Sequence, residues 1–130
     1  MKRRTYIIFI DILGYQQLAD EISSKTDLNS SYVRQLLLRD PLIRAIDKFG
    51  NNIDVKYFTD NFLVFDYKLE TVFEIIYEVS RLTIAFNTPT LIPLEIAVGV
   101  QDLDANFDPI VQDETVGFLK VDLLDYYKKN

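Results

Sequence analysis

The sequence predicts an α+β fold, with an antiparallel-rich β-sheet and helices packed on one face of it. A continuous run of β-branched and aromatic residues at positions 6–10 is typical of a strand that is buried on both of its faces. Two further runs of this kind, at 53–58 and 62–67, are separated by three polar residues, which is the length of a hairpin link. Stretches with a helical spacing of apolar residues lie between the strands, as an α+β sheet requires.

The remaining elements follow in order along the chain. After the first strand, residues 15–24 and 31–49 have helical periodicity. Ser30 or Ser31 is the predicted N-cap of the second helix, and Pro41 is expected to kink that helix or split it in two. The elements that complete the chain are a long amphipathic helix at 70–87, a strand at 94–100, an acidic loop at 101–109 and a final helix at 114–127.

This order, β-α-α-β-β-α-β with a C-terminal helix, is that of a ferredoxin-like sheet. The first strand and the central hairpin are neighbours in the middle of such a sheet. At 130 residues the chain is long enough to bury one sizeable core, so residues 1–130 are predicted to form a single domain.

Composition excludes several classes of function. The chain has no cysteine and no histidine, which excludes thiol chemistry, disulfides, the usual zinc sites and a Ser-His-Asp triad. A net charge of −6 argues against stable binding to nucleic acid or to an anionic membrane. No stretch approaches the roughly 20 apolar residues of a membrane span, and Asp11 interrupts the one run that resembles a signal peptide. We therefore expect a cytoplasmic protein without a membrane partner.

Two carboxylates stand at the positions where chemistry is expected. Asp11 ends the first strand, and Asp60 lies at the tip of the predicted hairpin, so the ferredoxin-like order brings them to the same edge of the sheet. Each has an ordinary structural explanation, since Asp60 suits a hairpin turn and Asp11 suits a helix N-terminus. Together, on adjacent strands and without histidine, they indicate a site for a hard divalent cation such as Mg²⁺ or Mn²⁺.

Three segments resemble a known family. The segments FIDILGY at 9–15, KYFTD at 56–60 and IPLEIAVG at 92–99 are similar to the palm core of class III nucleotidyl cyclases. The opening segment is most similar to the bacterial pyrimidine cyclases of antiphage signalling. The resemblance implies a palm fold that converts a nucleoside triphosphate to a 3′,5′-cyclic nucleotide second messenger and pyrophosphate. It also implies a head-to-tail homodimer with a site shared between subunits.

The resemblance assigns roles to individual residues. It implies that Asp11 and Asp60 are the catalytic aspartates of a two-metal site for Mg²⁺ or Mn²⁺, with the backbone carbonyl of Ile12 as a further ligand. It implies that Lys56 reads the base and that Glu114, before Val116-Gly117, is its acidic partner. The remaining positions predicted to contact substrate are Gly14 and Thr59.

This sequence also departs from the family pattern. Thr59 stands where the family has a glycine, and Glu95 stands where it often has an arginine. The asparagine and arginine that stabilise the transition state are replaced by Val121 and Asp125. Loss of such groups can cost several kcal/mol of barrier, so metal binding is better supported than efficient turnover.

Other interpretations remain open at this stage. One is a palm polymerase of the CRISPR-associated type that makes a cyclic oligonucleotide, although its Gly-Gly-Asp-Asp pattern is absent. Another is a degenerate module that binds nucleotides or dimerises without catalysis. Arg34, Arg39 and Arg44 lie in reach of a phosphate if they share a helix face, but surface charge is the default reading. The basic residues 2–4 are expected to form a frayed terminus.

Overall fold

The computed structural model describes residues 1–50, 53–58, 61–85, 94–109 and 111–129. Strands and helices alternate along the chain in the predicted order. The strands are β1 (Lys2–Ile12), β2 (Ile53–Tyr57), β3 (Asn61–Asp66) and β4 (Leu94–Asp104). The helices are α1 (Tyr15–Thr26), α2 (Ser30–Tyr32), a π-helical segment (Val33–Arg39), α3 (Asp40–Asp47), α4 (Leu69–Ala85) and α5 (Asp113–Lys129).

The four strands form one antiparallel sheet in the order β2-β3-β1-β4, which is the ferredoxin-like order. The prediction that the first strand lies inside the sheet, between the hairpin and the 94–100 strand, is confirmed. Strand β1 is almost wholly buried from Ile7 to Ile10, as its unbroken apolar run requires.

The sheet has a hydrophobic core on each face. On one face Ile8, Ile10 and Ile12 pack against residues of α1, α3 and α4. On the other face Ile7 and Phe9 pack against α5, which contributes the apolar residues Val116, Leu119 and Leu123. The prediction of helices on one face therefore holds for the helices between the strands, whereas α5 covers the opposite face. The physical reason is the period-two alternation of β1, whose apolar side chains point to both faces and need two covers.

The second predicted helix is divided into three parts. The π-helical segment separates α2 from α3, and the backbone N–H of Asp40 donates to the carbonyl of Gln35, five residues earlier. Pro41 follows at the start of α3. A proline has no N–H and its ring conflicts with the carbonyl four residues before it, so a regular α-helix cannot pass through this position unchanged. The wider π turn resolves that conflict, and the expected effect of Pro41 is confirmed.

The pairing of β1 with β4 is longer than predicted. Residues 2–5 continue β1 and pair with residues 101–104, which were expected to form the start of an acidic loop. Opposite charges meet there: Lys2 Nζ lies 3.1 Å from Asp104 Oδ1, and Arg4 is opposite Asp102. The prediction of a frayed basic terminus is therefore wrong, because the acidic residues supply both backbone partners and compensating charge.

Within the described residues, no helix has the combination of length and apolar character that crossing a membrane requires.

Candidate functional site

The end of β1 carries Asp11 between two strands. In the antiparallel registers Asp11 is opposite Asn61 of β3 on one side and opposite Glu95 of β4 on the other. Residues directly opposite in antiparallel strands point to the same face, so the three side chains form one row across the sheet. By the same alternation, this row lies on the face that α5 covers, together with Phe9, Leu63 and Ala97.

Glu95 is therefore a neighbour of Asp11. Directly opposite residues have Cβ atoms about 4.5–5.5 Å apart, and two like charges at that separation destabilise a sheet. The sequence marked Glu95 only as a departure from a family arginine. The register of β1 against β4, which the sequence pattern did not predict, places these two residues directly opposite each other.

The hairpin tip adjoins this row. The N–H of Phe58, which follows β2, donates to the carbonyl of Asn61 at 2.9 Å and closes the hairpin. Thr59 and Asp60, which carry the predicted substrate and metal roles, lie outside the described residues. The nearest described neighbour of Asp60 in the chain is Asn61, the cross-strand partner of Asp11.

The turn out of β1 is made by Gly14. Its backbone is left-handed, with φ of 63°, a conformation that glycine adopts without steric cost. Its carbonyl accepts the N–H of Leu18 at 2.8 Å, the first hydrogen bond of α1. The turn borders a cleft of about 500 Å³ that is also lined by Asp11, Ile12 and Arg34. Asp11 and Ile12 thus border one cleft, and their roles as metal ligands stay predictions.

A larger cleft of about 720 Å³ adjoins the first and shares Tyr15 and Arg34 with it. It lies between the π-helical segment, the β2–β3 hairpin and α5. The described residues that line it are Tyr15, Arg34, Gln35, Arg39, Tyr57, Phe58, Asn61 and Lys120. Three of these side chains are cationic, and none of the described lining residues is acidic.

Lys120 reaches this cleft from α5, and no sequence pattern pointed to it. Its Nζ donates to Asn61 Oδ1 at 2.9 Å and lies 4.0 Å from the ring centroid of Phe58. Its position directly after the core residue Leu119 is a signal that it borders the sheet. Val121 and Asp125, the positions of the family asparagine and arginine, are both exposed on α5. Lys120, rather than either of them, contacts the tip of the hairpin at Asn61 and Phe58.

Tyr57 has a fixed protonation state in this cleft. Burial, followed by the hydrogen bond from its hydroxyl to Asp47 Oδ1 at 2.9 Å, raises the pKa of Tyr57 to about 12. The phenol therefore remains protonated near neutral pH and cannot act there as a general base.

The two residues predicted to recognise the base are Lys56 on β2 and Glu114 on α5. Lys56 alternates with Val55 and Tyr57, which pack against the core on the α1–α4 face, so its side chain points to the α5 face of edge strand β2. Glu114 is exposed in the first turn of α5. Neither residue lines either cleft, and their roles in base recognition stay predictions.

Comparisons with known proteins give little further identification. No protein-family model matches the chain, and no curated protein matches it. One similar solved structure is the X-ray structure of an EAL/GGDEF domain protein from M. capsulatus, with 15% sequence identity and a TM-score of 0.47. The match covers 76% of this chain and 64% of that chain, so this chain spans less than two thirds of its length.

Proposed function

We propose that this chain is a divalent-metal-dependent nucleotidyl cyclase that converts a nucleoside triphosphate to a 3′,5′-cyclic nucleotide and pyrophosphate. The observation that carries the proposal is the pairing of Asp11 with Asn61, the residue directly after Asp60. It supports the expected meeting of two aspartates at one edge of the sheet. The cationic cleft beside this pair adds a place for the phosphates of a substrate.

The donor atoms at the end of β1 suit Mg²⁺ or Mn²⁺. The carboxylate of Asp11, the carbonyl of Ile12 and the carboxylate of Glu95 are hard oxygen ligands, which these ions prefer. No group of three acidic side chains among the described residues is arranged to hold an ion. A complete site therefore needs Asp60 and oxygens from the backbone, water and substrate, which is the usual way Mg²⁺ is bound.

The proposed reaction forms a bond between the ribose 3′-oxygen and the α-phosphorus, and breaks the bond from that phosphorus to the bridging oxygen of pyrophosphate. The hydroxyl proton passes to water or to a substrate oxygen, since Tyr57 is already protonated. A bound divalent ion would make the hydroxyl a better nucleophile and stabilise charge on the leaving group. Arg34, Arg39 and Lys120 would hold and orient the phosphates.

A second candidate function is a nucleotide-binding module without catalysis. The observation that favours it is the composition of α5, since residues 113–129 include no asparagine or arginine to stabilise a transition state. Retention of Asp11 beside the hairpin opposes it, since a module that only binds nucleotides does not require a carboxylate at this position.

Incubation of the purified protein with each of ATP, GTP, CTP and UTP in Mn²⁺, followed by mass spectrometry, tests the proposal. The resemblance to pyrimidine cyclases makes CTP and UTP the first substrates to try. A cyclic mononucleotide is the expected product, and a cyclic oligonucleotide would favour the palm polymerase instead. Absence of any product from a folded sample would overturn catalysis and favour the binding module.

Two variants make the experiment specific. Asp11→Asn is expected to abolish product formation. Asp102→Asn removes the same charge from the opposite end of the sheet, where Asp102 pairs with Arg4, and is expected to retain full activity. Equal loss of activity in both variants would contradict a site at Asp11.

A further inference from the structure

The π-helical segment brings together two arginines that an α-helix would separate. In a π-helix the backbone of each residue bonds to that of the residue five earlier, so residues five apart lie close to one turn apart and on nearly the same side of the helix. Arg34 and Arg39 have this spacing, and both line the larger cleft. In an α-helix of 3.6 residues per turn they would point about 140° apart. The conformation imposed before Pro41 thus creates a pair of cations on one side of the segment.

Lys120 of α5 lines the same cleft as this pair. All three cations are half-buried. Within the part of the chain that the structure describes, none of them lies within ion-pair distance of a carboxylate, although Arg34 Nη1 donates to Gln16 Oε1 at 2.7 Å and its charge, after the hydrogen bond from Ser30, is among the causes that lower the pKa of Asp20. This is unusual in a chain with a net charge of −6, where acidic side chains outnumber basic ones. Partial burial weakens screening by salt, so the three charges act together on the cleft.

Arg39 provides a second and independent observation. One guanidinium nitrogen, Nη2, donates to the carbonyl of Phe58 at 3.4 Å, which orients the side chain across the cleft. Its Nε is buried and has no hydrogen-bond acceptor among the described residues. A buried charged donor without an acceptor is costly, and an anionic ligand in the cleft would remove that cost.

We propose that the cleft between the π-helical segment and α5 binds a polyphosphate group directly, through Arg34, Arg39 and Lys120, without a divalent ion. The proposal rests on the proposed function, because the polyphosphate is taken to be that of the nucleotide. It adds that the cations hold the phosphates independently of the metal edge at Asp11. A planar guanidinium suits bidentate contact with phosphate oxygens, and the lysine adds a point charge.

Isothermal titration with inorganic triphosphate in EDTA at low ionic strength tests this proposal. The native protein is expected to bind triphosphate, and the affinity is expected to fall as salt is raised. Arg39→Gln and Lys120→Gln should each weaken binding about tenfold, the effect of losing one charge-assisted hydrogen bond. Arg39→Lys should recover part of the loss, because the charge returns without the fork. Thermal unfolding identifies any variant that fails to fold, and the other variant then carries the test.

Arg44→Gln is the matched control. Arg44 lies on the neighbouring helix α3, is exposed and does not line the cleft, so its removal changes the net charge equally. Binding should remain within about twofold of the native value, since only long-range charge is lost. Equal weakening by Arg44→Gln and Arg39→Gln, or no binding of triphosphate in EDTA, would overturn the proposal.

The outcomes separate this proposal from the proposed function. Asp11→Asn should leave triphosphate binding in EDTA intact while it abolishes turnover in Mn²⁺. Turnover by the native chain without triphosphate binding in EDTA would overturn the cation cleft alone. Triphosphate binding without turnover of any nucleotide would support the cleft and overturn the cyclase.

Discussion

Asp11 and Glu95 lie directly opposite each other on the neighbouring antiparallel strands β1 and β4. Their side chains share one face of the sheet at the edge where the hairpin also ends. Two carboxylates in this relationship repel each other unless a cation lies between them. The stability of the folded protein should therefore depend on divalent ions at this end of the β1–β4 pair.

Replacement of Glu95 tests the repulsion. Glu95→Gln should stabilise the metal-free protein by roughly 0.2–1 kcal/mol, the usual size of a cross-strand pair effect. In Mn²⁺ the gain should disappear, because the ion compensates both charges in the native protein. Urea unfolding with EDTA and with Mn²⁺ measures both values. A variant less stable than the native protein in EDTA would show that Glu95 has a structural role instead.

Metal binding itself is tested at the two aspartates. Mn²⁺ or Mg²⁺ should raise the melting temperature of the native protein, because a ligand that binds only the folded state stabilises it. Asp11→Asn and Asp60→Asn should each abolish this shift and leave the metal-free protein at least as stable. Unfolding of either variant, together with no effect of Mn²⁺ on the native chain, would make these carboxylates structural. Asp102→Asn, far from the edge, should retain the shift.

The predicted homodimer would bury apolar surface near this edge. Leu13, which follows β1 and lines the cleft with Asp11, is 44% exposed. Leu13→Glu should therefore lower the association constant by an order of magnitude or more, since it places a charge in an apolar contact. Phe73→Glu on α4, where Phe73 is 63% exposed, is the control and should leave association unchanged. Sedimentation equilibrium measures the association constant of each variant. A native protein that is monomeric at high micromolar concentration would contradict the prediction.

Asp66 at the end of β3 should give stability a dependence on pH. The residue is 1% exposed, and burial raises the pKa of its carboxyl above the ordinary value of 3.8 despite hydrogen bonds from the N–H groups of Lys68 and Tyr67. The unfolded chain therefore loses this proton at a lower pH than the folded chain does.

The sign of the dependence follows from that order. As pH rises from 3.8 to the raised folded pKa, the folded state binds more protons than the unfolded state, so the free energy of unfolding falls. The free energy of unfolding of the native protein, measured relative to that of Asp66→Asn, should fall through this pH window. Above the folded pKa the difference between the two proteins should stay constant. Urea unfolding at a series of pH values measures the difference. A difference that grows in favour of the native protein would mean that the two N–H bonds outweigh burial.

Two glycines outside the site allow a matched test of packing. An added Cβ at Gly117 in α5 would meet no heavy atom within 4 Å apart from neighbouring backbone of its own helix, so Gly117→Ala should stabilise the helix by about 0.5–1 kcal/mol. An added Cβ at Gly99 in β4 would lie 2.8 Å from Leu123 Cδ1, which is too close for two carbon atoms. Gly99→Ala should therefore destabilise the folded protein, because Leu123 must move out of its packed position. In thermal unfolding, Gly117→Ala should have a higher melting temperature than the native protein and Gly99→Ala a lower one. Stabilisation by Gly99→Ala would mean that α5 is less tightly packed on β4 than its contacts indicate.

The sequence determined the elements whose physical cause is local. The apolar run of β1, the left-handed turn at Gly14 and the interruption at Pro41 each follow from the chemistry of a few adjacent residues, and all three are observed. The order of elements then determined the sheet, because few topologies connect this series with short links. For that reason the position of Asp11 beside the hairpin could be predicted.

Tertiary structure alone decided which side chains share a cleft. The pairing of Asp11 with Glu95 depends on the register of two strand residues that are 84 positions apart in the chain. The presence of Arg39 and Lys120 in one cleft depends on how α5 packs across the sheet. Neither distance along the chain nor residue type carries that information. Burial of both faces of β1 required a second cover, and the covering helix α5 brought Lys120 to the hairpin. Local pattern therefore fixed the strands and turns, whereas packing fixed the charges that face one another.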